Sequence, residues 1–147
     1  MISNFHTHTV LCDGKSTPEE VVLSAIEKGF SSLGFSGHAP TDFDQSYCLK
    51  DVDGYIATIA SLKEKYQKEI EIYVGIEEDA YQWTDRTRFE YLLGSSHYLK
   101  KDGIYYQLDC GTDNLKKCLD AFGGDPLQLA EAYYSQFTAY MSQYFVT

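Results

Sequence analysis

The sequence predicts an α/β fold built on parallel strands. Two observations carry this expectation. Short β-prone apolar runs alternate with helical stretches in the order β-α-β-α-β-α-β, and the links between them are short. Such an order implies parallel strands joined by right-handed crossovers. A chain of 147 residues is long enough for one real core but not for two, so a single domain over residues 1–147 is expected.

The elements follow in order. Ile2–Thr7 reads as the first strand. Thr17-Pro18-Glu19-Glu20 is a helix start: Thr17 caps, Pro18 suits the first turn, and Glu20 is the capping-box partner. That helix runs to about Lys28 and stops at Gly29. Ser32–Ser36 is the second strand, leading into Gly37-His38-Ala39-Pro40. After an irregular loop over 41–50, a helix spans Asp51 to about Lys68, with Ile56, Ile59, Ala60, Leu62 and Tyr66 roughly on one face. Glu71–Ile76 is the third strand and runs into Glu77-Glu78-Asp79. A short helical piece covers Thr84–Phe89, and Tyr91–Ser95 is the fourth strand, ending at Ser96-His97. Tyr98–Asp109 is a loop or hairpin around Asp102-Gly103. Two helices close the chain, Asn114–Ala121 and Pro126–Phe145. The last carries Tyr133, Phe137, Tyr140, Met141 and Tyr144 along one side, with Tyr134 and Phe145 on a second apolar flank. A fifth strand would begin near residues 144–147.

Composition narrows the function classes. The formal charge of −10 argues against non-specific nucleic-acid binding, which needs a basic surface. No apolar run approaches the ~20 residues of a membrane span, and no signal peptide precedes the first strand, so a cytoplasmic location is expected. Cys12, Cys48, Cys110 and Cys118 form no C-x-x-C pair and read as free thiols. Cys12, beside Asp13, lies close enough to the candidate site to be oxidised there.

The chemistry concentrates at strand ends. His6 and His8 sit two apart in Phe5-His6-Thr7-His8-Thr9, and residues two apart on a strand share a face. Asp13 follows in the loop, and His38, Glu77 and His97 close strands two, three and four. In parallel α/β folds, functional groups gather beyond these strand ends. Imidazole with carboxylate suits zinc, iron or manganese. Six such groups exceed the needs of one tetrahedral ion, so two or three divalent ions are expected. Taken singly, each residue has an ordinary reading: a solvated histidine, an acidic run facing water, an Asp-Gly turn. The joint pattern favours metal.

These residues resemble the PHP (polymerase and histidinol phosphatase) family, in its histidinol-phosphate phosphatase branch. The matching segments are FHTHT at 5–9, CDG at 12–14, TPEE at 17–20, GFSGHAP at 34–40, GIEEDAY at 75–81 and LGSSHYL at 93–99. Gly37 stands where the family commonly has an aspartate that is not usually a ligand. The resemblance implies a seven-stranded, distorted TIM-like β/α barrel, of which this chain would form about the first four β/α units. It implies a three-metal site: His6, His8 and Glu77 on the first ion, Glu77 and His97 on the second, Asp13 and His38 on the third. The implied activity is hydrolysis of the small phosphorylated substrate histidinol phosphate, in histidine biosynthesis. Clustered cations there would neutralise phosphate oxygens and activate water.

The resemblance also implies a longer domain. On it, the chain reads as an N-terminal half, cut short. The remainder would bring another histidine or cysteine ligand, a late Asp-x-His pair and phosphate-gripping basic residues. Three alternatives stay open: a metal-binding fragment without turnover, a PHP phosphoesterase acting on nucleotides or tyrosine phosphate, and an interaction module with incidental histidines. A half-barrel would leave strands one and four as open edges and part of the aromatic helix uncovered, so self-association is expected.

Overall fold

A computed structural model of the chain describes residues 1–142. They form two compact units, one of Met1–Glu78 with Gln82–Leu93, the other of Asp79–Tyr81 with the chain from Gly94 onward. Strands β1 (Ser3–Asn4), β2 (Ser32–Phe35), β3 (Glu71–Asp79) and β4 (Tyr91–Ser95) form one sheet in the order β1-β2-β3-β4. β1 pairs parallel with β2, and β2 parallel with β3. The fold is that of a partial β/α barrel, and β1 and β4 are its outer strands.

In the first unit, helix α1 (Pro18–Glu27) starts as its sequence dictates. The Thr17 hydroxyl accepts the Glu20 N–H at 3.3 Å, and the Glu20 carboxylate accepts the Thr17 N–H at 2.7 Å. Its buried face is Pro18, Val22 and Ala25. Helix α2 (Val52–Lys65), capped by Asp51, buries Tyr55, Ile59 and Leu62. This corrects the expected face: Ala60 is exposed and Tyr55 lies inside. The reason is polar as well as apolar, because the Tyr55 hydroxyl is needed between two strands. It accepts the Gly37 N–H at 3.3 Å and donates to the Gly75 carbonyl at 2.8 Å. The core is one apolar cluster in which Leu33, Phe35, Ile72, Val74 and Ile76 of the sheet meet Val22, Ile59 and Leu62 of the helices.

Strand lengths differ from expectation at two places. β1 ends at Asn4, so His6 and His8 lie just past the strand, not within it. The Asn4 side chain accepts the His6 N–H at 3.0 Å, which turns the backbone out of the ladder. β3 instead runs on to Asp79, carrying the whole acidic triplet. The helical piece before β4 is a single 3₁₀ turn, Arg86–Arg88.

In the second unit, the stretch after His97 is a hairpin of β5 (Tyr98–Lys101) and β6 (Ile104–Gln107). Asp102 and Gly103 both have positive φ, 51° and 82°, as a two-residue hairpin turn requires. Helix α3 (Thr112–Ala121) packs on β6, and α4 (Pro126–Ser142) packs on β5 and α3. Among the described residues of this unit, Tyr98, Leu99, Cys118 and Tyr140 are buried apolar residues. On α4, Tyr133 stacks on Phe137 at 6.2 Å, while Leu127 and Tyr134 are exposed. Tyr144, Phe145 and the expected start of a fifth strand lie outside the described residues. Among the described residues, no helix is long and apolar enough to cross a membrane.

Candidate metal centre

The first unit gathers His6, His8, Asp13, His38 and Glu77, and the backbone explains how. Past β1 the chain stays beside β2: the Thr7 N–H donates to the Ser36 hydroxyl at 3.1 Å, and the Ser36 N–H to the Thr7 carbonyl at 3.0 Å. The Thr9 carbonyl then accepts the N–H of both Cys12 and Gly14, at 3.0 and 2.9 Å, folding Asp13 back toward the histidines. A Cβ at Gly14 would sit 2.5 Å from the Thr9 nitrogen, so this turn needs glycine. His38 is placed by an isolated parallel bridge to Glu77. In it the Ala39 N–H donates to the Glu77 carbonyl at 2.8 Å and the Glu77 N–H to the Gly37 carbonyl at 3.1 Å.

Three imidazoles converge on one carboxylate oxygen. Glu77 Oε2 lies 3.1 Å from His6 Nε2, 3.1 Å from His8 Nε2 and 3.4 Å from His38 Nδ1. Asp13 closes a second group, with its oxygens 3.4 Å from His8 Nδ1 and 3.6 Å from His38 Nε2. With metal–ligand bonds of about 2.1 Å, neighbouring ligands around one ion stand about 3.0–3.5 Å apart. The separations at Glu77 fall in that range, and the donor set is one that could hold a divalent transition ion. His6-His8-Glu77 and His8-Asp13-His38 are the two candidate groups within this unit.

Exposure grades across the site. Glu77 is 3% exposed, the His8 side chain 21% and the His6 side chain 58%, so the cluster opens to solvent on the His6 side. The His38 ring meets the edge of Tyr47 at 4.7 Å. The groups around His8 favour its charged form. His8 is pushed up to about 10 by its hydrogen bond with Cys12 and then by Glu77, against the lowering effect of burial. Burial would raise the Cys12 thiol, but the His8 contact at 3.6 Å and surrounding backbone groups hold it below its ordinary value.

The acidic triplet does not face water. Glu77, Glu78 and Asp79 are 3%, 0% and 3% exposed. Glu78 accepts from the Arg86 guanidinium and the Thr84 N–H, each at 2.9 Å, which ties the loop after β3 to the strand. His97 belongs to the second unit. There its Nδ1 lies 3.3 Å from Asp79 Oδ2 and 3.2 Å from the Ser95 hydroxyl, and its Nε2 lies 3.8 Å from Asp109. Tyr47, Tyr55 and Asp79 as supports of the site escaped the sequence reading. Tyr47 comes from an irregular loop with no periodicity, and Tyr55 was not among the residues placed on the buried helix face.

A parallel β/α sheet whose strand ends carry clustered imidazoles and carboxylates defines a candidate metalloprotein of the barrel class. A PHP domain model matches residues 4–139, and the chain belongs to the PHP family. A histidinol-phosphatase of Bacillus subtilis is 31% identical, over 90% of this chain and 55% of that protein. A solved structure of a candidate histidinol phosphatase from Listeria monocytogenes superposes with a TM-score of 0.79 at 22% identity, covering 92% of this chain and 59% of that one. A second, the histidinol phosphate phosphatase of Lactococcus lactis in complex with zinc, L-histidinol and phosphate, gives a TM-score of 0.53 at 20% identity, over 82% and 52% of the two chains. The chain spans about half the length of the curated relatives it matches.

Proposed function

We propose that this chain is the N-terminal part of a PHP domain and carries part of the metal centre of a phosphomonoesterase. Its favoured substrate is histidinol phosphate, and its place is histidine biosynthesis in the cytoplasm. The observation that carries the reading is the convergence of His6, His8 and His38 on Glu77 Oε2. The names of the relatives supply the substrate class, since the Bacillus subtilis protein is a histidinol-phosphatase and the Lactococcus lactis structure holds L-histidinol and phosphate.

In this reading His6, His8 and Glu77 hold one ion, and Asp13 with His38 holds another. His97 is assigned as a ligand by its motif. Two or three ions of zinc, iron or manganese are expected in a complete site. Such ions, when bound, neutralise phosphate oxygens and make water a stronger acid. The chain's own residues do the rest. Buried Glu77 presents a fixed negative charge at the end of a rigid strand. The His38–Glu77 bridge sets the spacing of two ligands through backbone, which side-chain motion cannot relax. The open side at His6 leaves room for a phosphate ester to approach.

Elemental analysis of untagged protein tests this, followed by phosphatase assays on histidinol phosphate, a nucleotide monophosphate and phosphotyrosine. Two or three transition ions per chain, lost at the first site in His8→Ala, support the reading. A metal-free chain, or metal content unchanged in His8→Ala, counts against it. A second reading, a metal-binding fragment without turnover, draws on the half-length match to the relatives. Activity that appears only when the C-terminal half of a relative is added would favour a split enzyme. Self-association through the outer strands or the exposed Leu127–Tyr134 side of α4 is part of the proposal, and light scattering on the same sample reads it.

A further inference from the structure

We infer that Tyr91 is a positioning residue: with Ser36 it closes a chain of hydrogen bonds across His6 that holds the His6–His8 segment against Glu77. The inference rests on the proposal that His6, His8 and Glu77 hold an ion.

The ladder of β1 ends at Asn4, before either histidine. Past it, the Ser36 N–H bonds the Thr7 carbonyl, and two side chains add to that hold. The Thr7 N–H donates to the Ser36 hydroxyl at 3.1 Å. The Ser36 and Tyr91 hydroxyls are hydrogen-bonded to each other. The Tyr91 hydroxyl donates to the Phe5 carbonyl at 2.9 Å. The ends set the direction of the chain, because a backbone N–H only donates and a carbonyl only accepts. Each hydroxyl in between therefore accepts one bond and donates the next, and bonds linked in this way strengthen one another. The chain leaves the backbone at Thr7 and returns to it at Phe5, with His6 between.

Tyr91 reaches Phe5 from the far side of the sheet. It starts β4, and Phe5 follows β1, with β2 and β3 between them. Two glycines clear its path. A Cβ at Gly75 of β3 would sit 2.2 Å from Tyr91 Cζ, and one at Gly34 of β2 would sit 2.5 Å from Tyr91 Oη. The ring therefore lies directly on the backbone of both middle strands, and the Phe5 ring meets it edge-on at 5.4 Å. The segment it steadies is the loosely packed side of the site. The His6 side chain is 58% exposed, whereas Glu77 is fixed by its own backbone bridge to His38.

The test uses the full chain in two measurements. The first is amide hydrogen exchange of the ¹⁵N-labelled, metal-free protein, which reads the chain of bonds without any ion. Thr7 is expected to be protected in wild type. Exchange there should quicken about 2–10-fold in Tyr91→Phe and at least as much in Ser36→Ala. The second is zinc affinity by chelator competition, where each variant should weaken one site about 2–10-fold. The double variant should match Ser36→Ala, because residues of one network do not add. Tyr73→Phe is the control. Its ring meets Phe5 at 5.3 Å, but its hydroxyl donates to Glu71, so it should change neither measurement. An unprotected Thr7 in wild type overturns the inference and needs no variant. Thr7 exchange unchanged in Tyr91→Phe, losses that add in the double variant, or equal losses in Tyr73→Phe also overturn it. Faster exchange with unchanged zinc affinity overturns the positioning role. A wild type that takes no zinc overturns the metal reading, while exchange at Thr7 still decides the chain of bonds.

Discussion

Removing one oxygen atom from Tyr55 should loosen the sheet directly beneath the candidate ligands. β2 and β3 pair through Phe35 and Val74, and they meet again at the His38–Glu77 bridge. Between these points the Tyr55 hydroxyl takes the place of a ladder bond, accepting from Gly37 and donating to Gly75. Tyr55 is 2% exposed, so water does not readily substitute. Tyr55→Phe deletes two hydrogen bonds and leaves a buried N–H and a buried carbonyl to find other partners. At about 0.5–1.5 kcal/mol for each bond, the loss is about 1–3 kcal/mol. With a urea slope of about 2 kcal/mol/M, the unfolding midpoint should fall by about 0.5–1.5 M. The single tryptophan, Trp83, lies in the same unit and reports its unfolding by fluorescence. Because Gly37 and Gly75 flank His38 and Glu77 in sequence, zinc affinity should fall as well. A midpoint within about 0.2 M of wild type, with zinc affinity unchanged, would refute the argument that this hydroxyl spaces the two strands.

Two further outcomes follow from the same geometry. In metal-free protein His8 is held at about 10, above its ordinary 6.5. A raised value in the folded state adds stability that is complete below the unfolded value and fades as pH rises through the folded one. The urea midpoint of chelator-treated wild type should therefore fall relative to His8→Gln between about pH 7 and about pH 10, and parallel profiles would show that His8 carries no such linkage. The second outcome concerns Arg86, whose guanidinium meets fully buried Glu78 at 2.9 Å. Arg86→Ala takes the cation away from that buried carboxylate, which keeps the Thr84 N–H, and should destabilise the first unit by about 3 kcal/mol, while Glu78→Gln with Arg86→Met should recover most of the loss. Equal losses in the single and double variants, measured by Trp83 fluorescence, would mean the charge is not the cause.

Local chemistry made much of the fold legible. The capping box at Thr17 and Glu20 is backbone geometry written into four consecutive residues, and the Asp102-Gly103 turn is likewise settled by the residues within it. The metal-ligand candidates were legible because they fall at strand ends in a parallel order, which topology alone brings to one edge of the sheet. The strand ends themselves were less legible. Nothing in Phe5–Thr9 places the end of the ladder at Asn4, because that depends on where β2 lies.

By itself, then, the sequence determined the order of elements, the helix starts, the parallel arrangement and the set of histidines and carboxylates available for metal. The helix starts depend on contacts between residues near in the chain, and the parallel arrangement follows from the alternation of strands and helices. Only the tertiary structure decided that Glu77 sits among three imidazoles, that Glu78 and Asp79 are buried instead of solvated, and that Tyr55 bridges two strands. Each of these rests on partners far apart in sequence, as with His6 and Glu77, 71 residues apart. A carboxylate's surroundings are set by which strands become neighbours, and a run of three acidic residues carries no trace of that.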